Sequence, residues 1–257
     1  MKGALLLLLV LVAEKSQACT CGPMPLVERV AHADFVAVAK ILKVSPDPQS
    51  ERFHDIDIEI TSLFKGEKIS SLKIRSALKT SCAFYTPENT TWLIFAYRDK
   101  EGVLSFGFCS GGIQLDRKYN STEFPKADDN YRRAYELKLE VLKYMKRKNI
   151  SPANEFQLNT VIPEDCLKKF DGYEVDGRFA IYKVEINPDL SIAGIKALKQ
   201  FGDPKLRAGL WNCISNKLKV YSRDKSKQLP RKTEVIIILY HYPAGGGHES
   251  VIGTFDV

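Results

Sequence analysis

Apolar and polar positions divide the chain into three stretches of different rhythm. In the first, Phe35 to Val44 is almost unbroken apolar sequence and reads as a strand, ended by Pro46-Asp47-Pro48. Asp55-Ile56-Asp57-Ile58-Glu59-Ile60 alternates strictly, the period of a strand with one solvated face, so its carboxylates belong to that face. Leu72 to Arg75 reads as a short strand after the turn at Lys65-Gly66-Glu67. Trp92 to Tyr97 is another apolar strand, and Val103 to Cys109 is its hairpin partner beyond a turn at Asp99 to Gly102. Five strands in about 90 residues, with turn signals between them, predict a small closed or partly open barrel, since closure removes unpaired edges.

The second rhythm is helical. Ala127 to Lys148 sets Tyr131, Tyr135, Leu139, Leu142 and Met145 at helical spacing. Asp128 and Asp129 lie near its start and Lys143, Lys146, Arg147 and Lys148 near its end, which suits the helix dipole. Ser151-Pro152 ends it. This helix is expected to pack on the barrel and lead onward. The third stretch is mixed. Arg178 to Asn187 reads as a strand that Pro188-Asp189-Leu190 turns back into Ser191 to Leu198. Asp203-Pro204 opens a helix as N-cap and first-turn proline, with Leu206, Leu210 and Cys213 on one face and Ile214 beside them. Leu218 to Tyr221 is a short strand, Arg223 to Lys232 a basic loop, and Thr233 to Tyr242 a buried strand. That order predicts a compact α+β unit. The expected organisation is a barrel over 19–126, a packing and linker helix over 127–155 and an α+β domain over 156–257.

Residues 1–18 read as a secretory signal peptide: Lys2, an apolar run from Ala4 to Ala13, and Ser16-Gln17-Ala18 as the cleavage site. The apolar run is half the ~20 residues a membrane span needs. The expectation is a secreted, extracytoplasmic protein, extracellular or periplasmic, that begins at Cys19. The net charge of +7 is spread without a basic stripe interleaved with aromatics, which argues against nucleic acid as a partner. Six cysteines, all after residue 18, suit disulfide bonding in an oxidising compartment. Sequence leaves fifteen pairings open. Cys19, Cys21, Cys82 and Cys109 fall in the first domain and Cys166 and Cys213 in the last, which suggests two bridges in one and one in the other.

Cys19-Thr20-Cys21 with Pro23 behind it, Asp34-Phe35-Val36-Ala37-Val38-Ala39-Lys40, Phe64-Lys65-Gly66, Ser81-Cys82-Ala83-Phe84 and Cys109 together carry a resemblance. Over residues 19 to 145 the chain resembles the N-terminal, netrin-like domain of the tissue inhibitors of metalloproteinases. The resemblance implies a five-stranded OB-type barrel with a flanking helix. It also implies bridges Cys19–Cys82 and Cys21–Cys109, which leave Cys166–Cys213 for the last domain. The implied activity is inhibition of a zinc metalloprotease, with Cys19 chelating the protease's zinc through its α-amine and carbonyl oxygen. An α-amine has a pKa of about 7.7–8.0, so a neutral fraction is available near pH 7. The implied protease-contacting residues are Cys19, Thr20, Cys21, Gly22 and Pro23, flanked by Leu78, Lys79, Thr80, Ser81 and Cys82. Thr20 would enter the primed-side specificity pocket. The chain departs from the family at Ala31, where one of its cysteines would lie, in having no cysteine between Cys109 and Cys166, and in the short polar loop from Pro46 to His54.

Residues 175 to 242 are similar to the C-terminal domain of TonB-like energy-transducing proteins. The likeness lies in Ala180 to Ile192, Gly202-Asp203-Pro204-Lys205-Leu206 and Val235 to Ile238. No nucleophile–base motif stands out, so catalysis and cofactors are not expected. His241 and His248 flank a glycine-rich turn rather than a metal set, and Asn89-Thr90-Thr91 and Asn120-Ser121-Thr122 fit the glycosylation pattern. The alternative is an extracytoplasmic binding module without inhibitory activity, or a cell-envelope lipoprotein acylated at Cys19. Acylation would block the amine, and Ser16 stands where a lipobox has an aliphatic residue.

Overall fold

A computed structural model describes residues 19–223 and 228–256. The expected signal peptide and part of the basic loop lie outside the described residues. Helix α1 (Leu26–His32) precedes strands β1 (Phe35–Pro46), β2 (Phe53–Lys65), β3 (Ser71–Arg75), β4 (Thr91–Arg98) and β5 (Leu104–Gly107), with a two-residue β6 (Ile113–Gln114) after them. The neighbours run β1-β2-β3-β5-β4, and β4 returns to β1, so the sheet closes into a five-stranded barrel. β3 and β5 are parallel, the other pairs antiparallel. Among the described residues β6 pairs with β4 alone.

The apolar runs explain where the cores sit. In β1, Phe35, Ala37, Ala39 and Ile41 fill the barrel with Ile56, Ile58, Ile94 and Trp92, while Val36 and Val38 face outward into a second apolar cluster. β4 does the same, Ile94 inward and Leu93 and Phe95 outward. A strand buried on both faces needs no polar alternation, which is why these two runs have none.

The outward cluster is completed from the rest of the chain. It takes Leu137, Val141, Leu142 and Met145 of α2 (Ala127–Arg147). The remaining elements are β7 (Leu158–Val161), α3 (Glu164–Leu167), β8 (Phe179–Ile186), β9 (Ile192–Lys199), α4 (Pro204–Lys217), β10 (Lys219–Ser222), β11 (Thr233–Tyr242) and β12 (Val251–Gly253). Four of these form an antiparallel sheet, β12-β11-β8-β9, and β7 and β10 a separate ribbon. Phe179, Ile181, Ile236, Ile238 and Tyr240 turn one face of that sheet to the barrel and α2. Ala180, Tyr182, Val184, Ile237 and Leu239 turn the other to α4, where Leu206, Leu210 and Ile214 pack. The result is a β-rich α+β fold in which barrel and sheet share a core.

The sequence reading does not contain β6, β7, α3 or β12, and other local features differ from it as well. β5 ends at Gly107, and Cys109 sits in a 3-10 turn, Phe108–Ser110. The buried face of α2 includes Leu137, Lys138 and Val141, with Tyr131, Tyr135 and Leu139 only half-buried, because the helix is covered from two sides. Helix α1 was not anticipated: seven residues behind Pro25 give too little periodicity to read.

Candidate functional site

The segment from Cys19 to Pro25 has no regular structure. Cys19 is half-buried, and Thr20, Cys21, Gly22 and Pro23 are exposed. Disulfides join Cys19 to Cys82 and Cys21 to Cys109, with Cα atoms 5.1 and 5.2 Å apart. The topology makes this possible. β3 and β5 run parallel with Arg75 opposite Gly107, so both strands end at the same end of the barrel. Cys82 follows one and Cys109 the other, and two bridges can therefore land on residues only two apart in the N-terminal segment. Cys166–Cys213 lies elsewhere, tying α3 to α4.

The loop carrying Cys82 is held by its own backbone. Ala77, at φ +42°, donates to Arg52 O at 3.1 Å, and Phe84 N donates to Ser76 O at 2.8 Å. Thr80 N and Oγ1 both donate to Ala77 O, at 3.0 and 2.8 Å, and Cys82 N donates to Thr80 Oγ1 at 3.1 Å. Buried Ser76 lies 2.6 Å from His54 Nδ1 through its hydroxyl. Phe84 then packs edge-on against Trp92 and Phe106, which fixes the loop to the barrel core. Leu78, Lys79, Thr80 and Ser81 remain exposed, and Lys79 pairs with Glu51 in full solvent. A solvated pair of this kind orients the loop little.

On its other side the segment is held by α1. Arg29 donates to Met24 O at 2.9 Å and to Gly111 O at 3.4 Å, with its guanidinium 5.4 Å from the Phe95 ring centroid. Gly111 is at φ +73°, and a Cβ there would lie 2.3 Å from Arg29 Cζ, so only glycine leaves room for that guanidinium. Lys65 donates to the carbonyls of Val30 and Ala31 at 2.9 and 3.0 Å, satisfying the open end of α1. Burial lowers the Lys65 pKa. At the start of α1, Leu26 N donates to Asp256 Oδ1 at 3.1 Å. Lys138 Nζ reaches Asp256 O at 2.7 Å and Oδ2 at 3.2 Å. Their side chains are 9% and 8% exposed, so this ion pair is a buried one.

These contacts leave the Cys19–Pro23 edge standing between two concavities. A groove of about 960 Å³ has Cys19, Leu78, Cys82 and Phe108 in its lining, with Arg52 and Arg75 among its basic residues. A smaller cleft of about 430 Å³ lies beside Pro23, lined also by Val27, Val161 and Phe255. Cys19, Leu78, Lys79, Thr80, Ser81 and Cys82 thus converge on the first groove, and Pro23 belongs to the second. Arg29, Phe108 and Asp256 have no signal in the sequence that ties them to this edge. Every cysteine is bridged, so at Cys19 only main-chain atoms can act as ligands. Among the described residues no three His, Cys, Asp or Glu side chains cluster as a metal site. No protein-family model matches the chain, and no curated protein matches it.

Proposed function

We propose that the protein is an exported inhibitor of zinc metalloproteases, built on an OB-type, netrin-like barrel, with Cys19 as the zinc ligand. The observation that carries this reading is the exposed Cys19–Pro23 edge, cross-linked at both cysteines to one end of a closed barrel and standing beside a groove of about 960 Å³. Three disulfides suit an oxidising compartment, and no helix among the described residues is long and apolar enough to cross a membrane.

The chemistry follows from what the bridges leave available. The Cys19 sulfur is occupied by Cys82, which leaves its nitrogen and carbonyl oxygen. Once the chain is cut after Ala18, that nitrogen is an α-amine. Amine and carbonyl of one residue close a five-membered chelate ring on a metal. A catalytic zinc keeps one position for water, and the chelate would displace that water. The zinc belongs to the protease. This chain supplies a ligand pair whose backbone is ordered before binding, so little conformational entropy is lost on association. Thr20 then occupies the primed-side pocket, and Leu78 to Ser81 form the second contact.

Intact mass and N-terminal sequencing of the exported protein test the premise: the expected start is a free Cys19, and an acylated or differently cut terminus ends the proposal. Titration against a panel of zinc proteases tests the mechanism. One extra alanine before Cys19 moves the amine off the metal. It is expected to raise the inhibition constant by about 100-fold or more, the ~3 kcal/mol typical of a lost central contact. Equal inhibition by both forms would exclude chelation.

A further inference from the structure

The inhibitor reading leaves three Asn-x-Ser/Thr triplets unused, and two of them are Asn89-Thr90-Thr91 and Asn120-Ser121-Thr122. They are 31 positions apart in sequence, yet the fold brings them to one flank. Thr91 N donates to Asp116 Oδ2 at 2.7 Å, Leu115 N donates to Thr91 O at 2.7 Å, and Trp92 pairs with Gln114. β4 and β6 are antiparallel with Trp92 opposite Gln114, so Asn89, two before Thr91, and Asn120, five after Leu115, both lie beyond the C-terminal end of β6. Tyr131 Oη of α2 donates to Gln114 O at 2.8 Å, so the far side of β6 is capped by that helix.

Both asparagines are exposed. Asn89 stands at φ +62° on a turn whose N–H is bound to Ile41 O at 2.8 Å. Asn120 Oδ1 accepts from Thr122 N at 3.0 Å, a turn that spans the triplet. Neither Nδ2 donates a hydrogen bond to the protein among the described residues, so a substituent on either replaces no internal contact. Neither residue lines the groove beside Cys19. A third triplet, Asn149-Ile150-Ser151, runs directly into Pro152. Proline biases the residue before it to extended backbone, which keeps the Ser151 hydroxyl from folding back onto the acceptor amide.

We propose that Asn89 and Asn120 carry N-linked glycans on the flank beyond the C-terminal end of β6, and that Asn149 does not. The inference rests on passage through a glycosylating export compartment. There the asparagine amide nitrogen attacks the anomeric carbon of a lipid-pyrophosphate-linked oligosaccharide. The new bond is C–N, the anomeric C–O bond breaks, the lipid pyrophosphate leaves with the electron pair, and the amide proton goes to base.

The test is secretion of the full chain from a eukaryotic host, with intact mass read before and after peptide N-glycosidase. Wild type is expected to lose two glycans, N89D and N120Q one each, and N149Q two. N89D is chosen because aspartate, like asparagine, tolerates positive φ. T122V keeps Asn120 but removes the hydroxyl, and is expected to lose one glycan as N120Q does. Secreted protein with the mass of bare polypeptide, or a glycan that persists in the N89D/N120Q double variant, overturns the proposal alone. Protein retained unmodified inside the cell overturns the export premise and the proposal with it.

Discussion

Tyr182 illustrates what a single side chain decides here. It is wholly buried under α4, its hydroxyl has no hydrogen-bond partner among the described residues, and burial pushes its phenol up to about 12. A buried, unsatisfied hydroxyl costs roughly 1–3 kcal/mol, so Tyr182→Phe is expected to raise stability by about 1 kcal/mol at neutral pH, read as a urea midpoint. The pH dependence has a definite sign. The folded state keeps the proton above the unfolded pKa of ~10, so the contribution is complete below that value and is lost as pH rises towards about 12. Between those limits wild type should lose on the order of 2–3 kcal/mol that the phenylalanine variant keeps. Equal alkaline loss in both would assign it to other groups, among them Tyr240, whose pKa burial also raises. In the sequence Tyr182 is one more aromatic in a strand. Its missing partner is a property of α4 and β8 together and has no trace in either alone.

At the level of elements, the longer strands and their order were legible because period-two alternation and turn residues are local, whereas β6, β7 and β12, two to four residues each, were not. The alternating run around Asp55 lies in β2, and the uninterrupted runs lie in β1, β4, β8 and β11. The same runs do not say what covers their second face, and the face of α2 went unread for that reason: Leu137 and Val141 are buried by two partners at once. The site was legible as Cys19-Thr20-Cys21 and the loop at Cys82, which carry recognisable residues. Its mounting was not, since Arg29 and Gly111 lie 82 residues apart and meet only through the fold. Gly111→Ala tests that mounting. Its Cβ would collide with the guanidinium at a positive φ, so a loss of roughly 1–3 kcal/mol is expected, with weaker inhibition as Met24 O loses its donor. An alanine variant with wild-type thermal midpoint and inhibition constant would show that Arg29 does not position the edge.

The whole molecule is held by the cluster in which barrel, α2 and the second sheet meet, from Val36 and Phe95 to Ile181 and Ile238. Its two tryptophans sit on either side: Trp92 in the barrel core and Trp211 on α4. A shared core couples the halves, so fluorescence transitions of Trp92→Phe and Trp211→Phe in urea are expected to coincide, each variant reporting the half it leaves lit. Separated midpoints would mean that the seam contributes little. Lys138 and Asp256 lie in that seam as a buried pair, where removing one partner leaves the other's charge uncompensated.

The anchoring of the first described residues has a consequence for synthesis. Cys19 and Cys21 emerge from the ribosome before their partners, which follow 63 and 88 residues later. The acceptor for the Leu26 amide is 230 residues downstream. During translation the edge therefore waits as an unfastened strip with two reactive thiols, and at the usual 5–20 residues per second that wait lasts several seconds or more. The bridges that set this edge wait for Cys109, and the Leu26 contact behind it waits for Asp256.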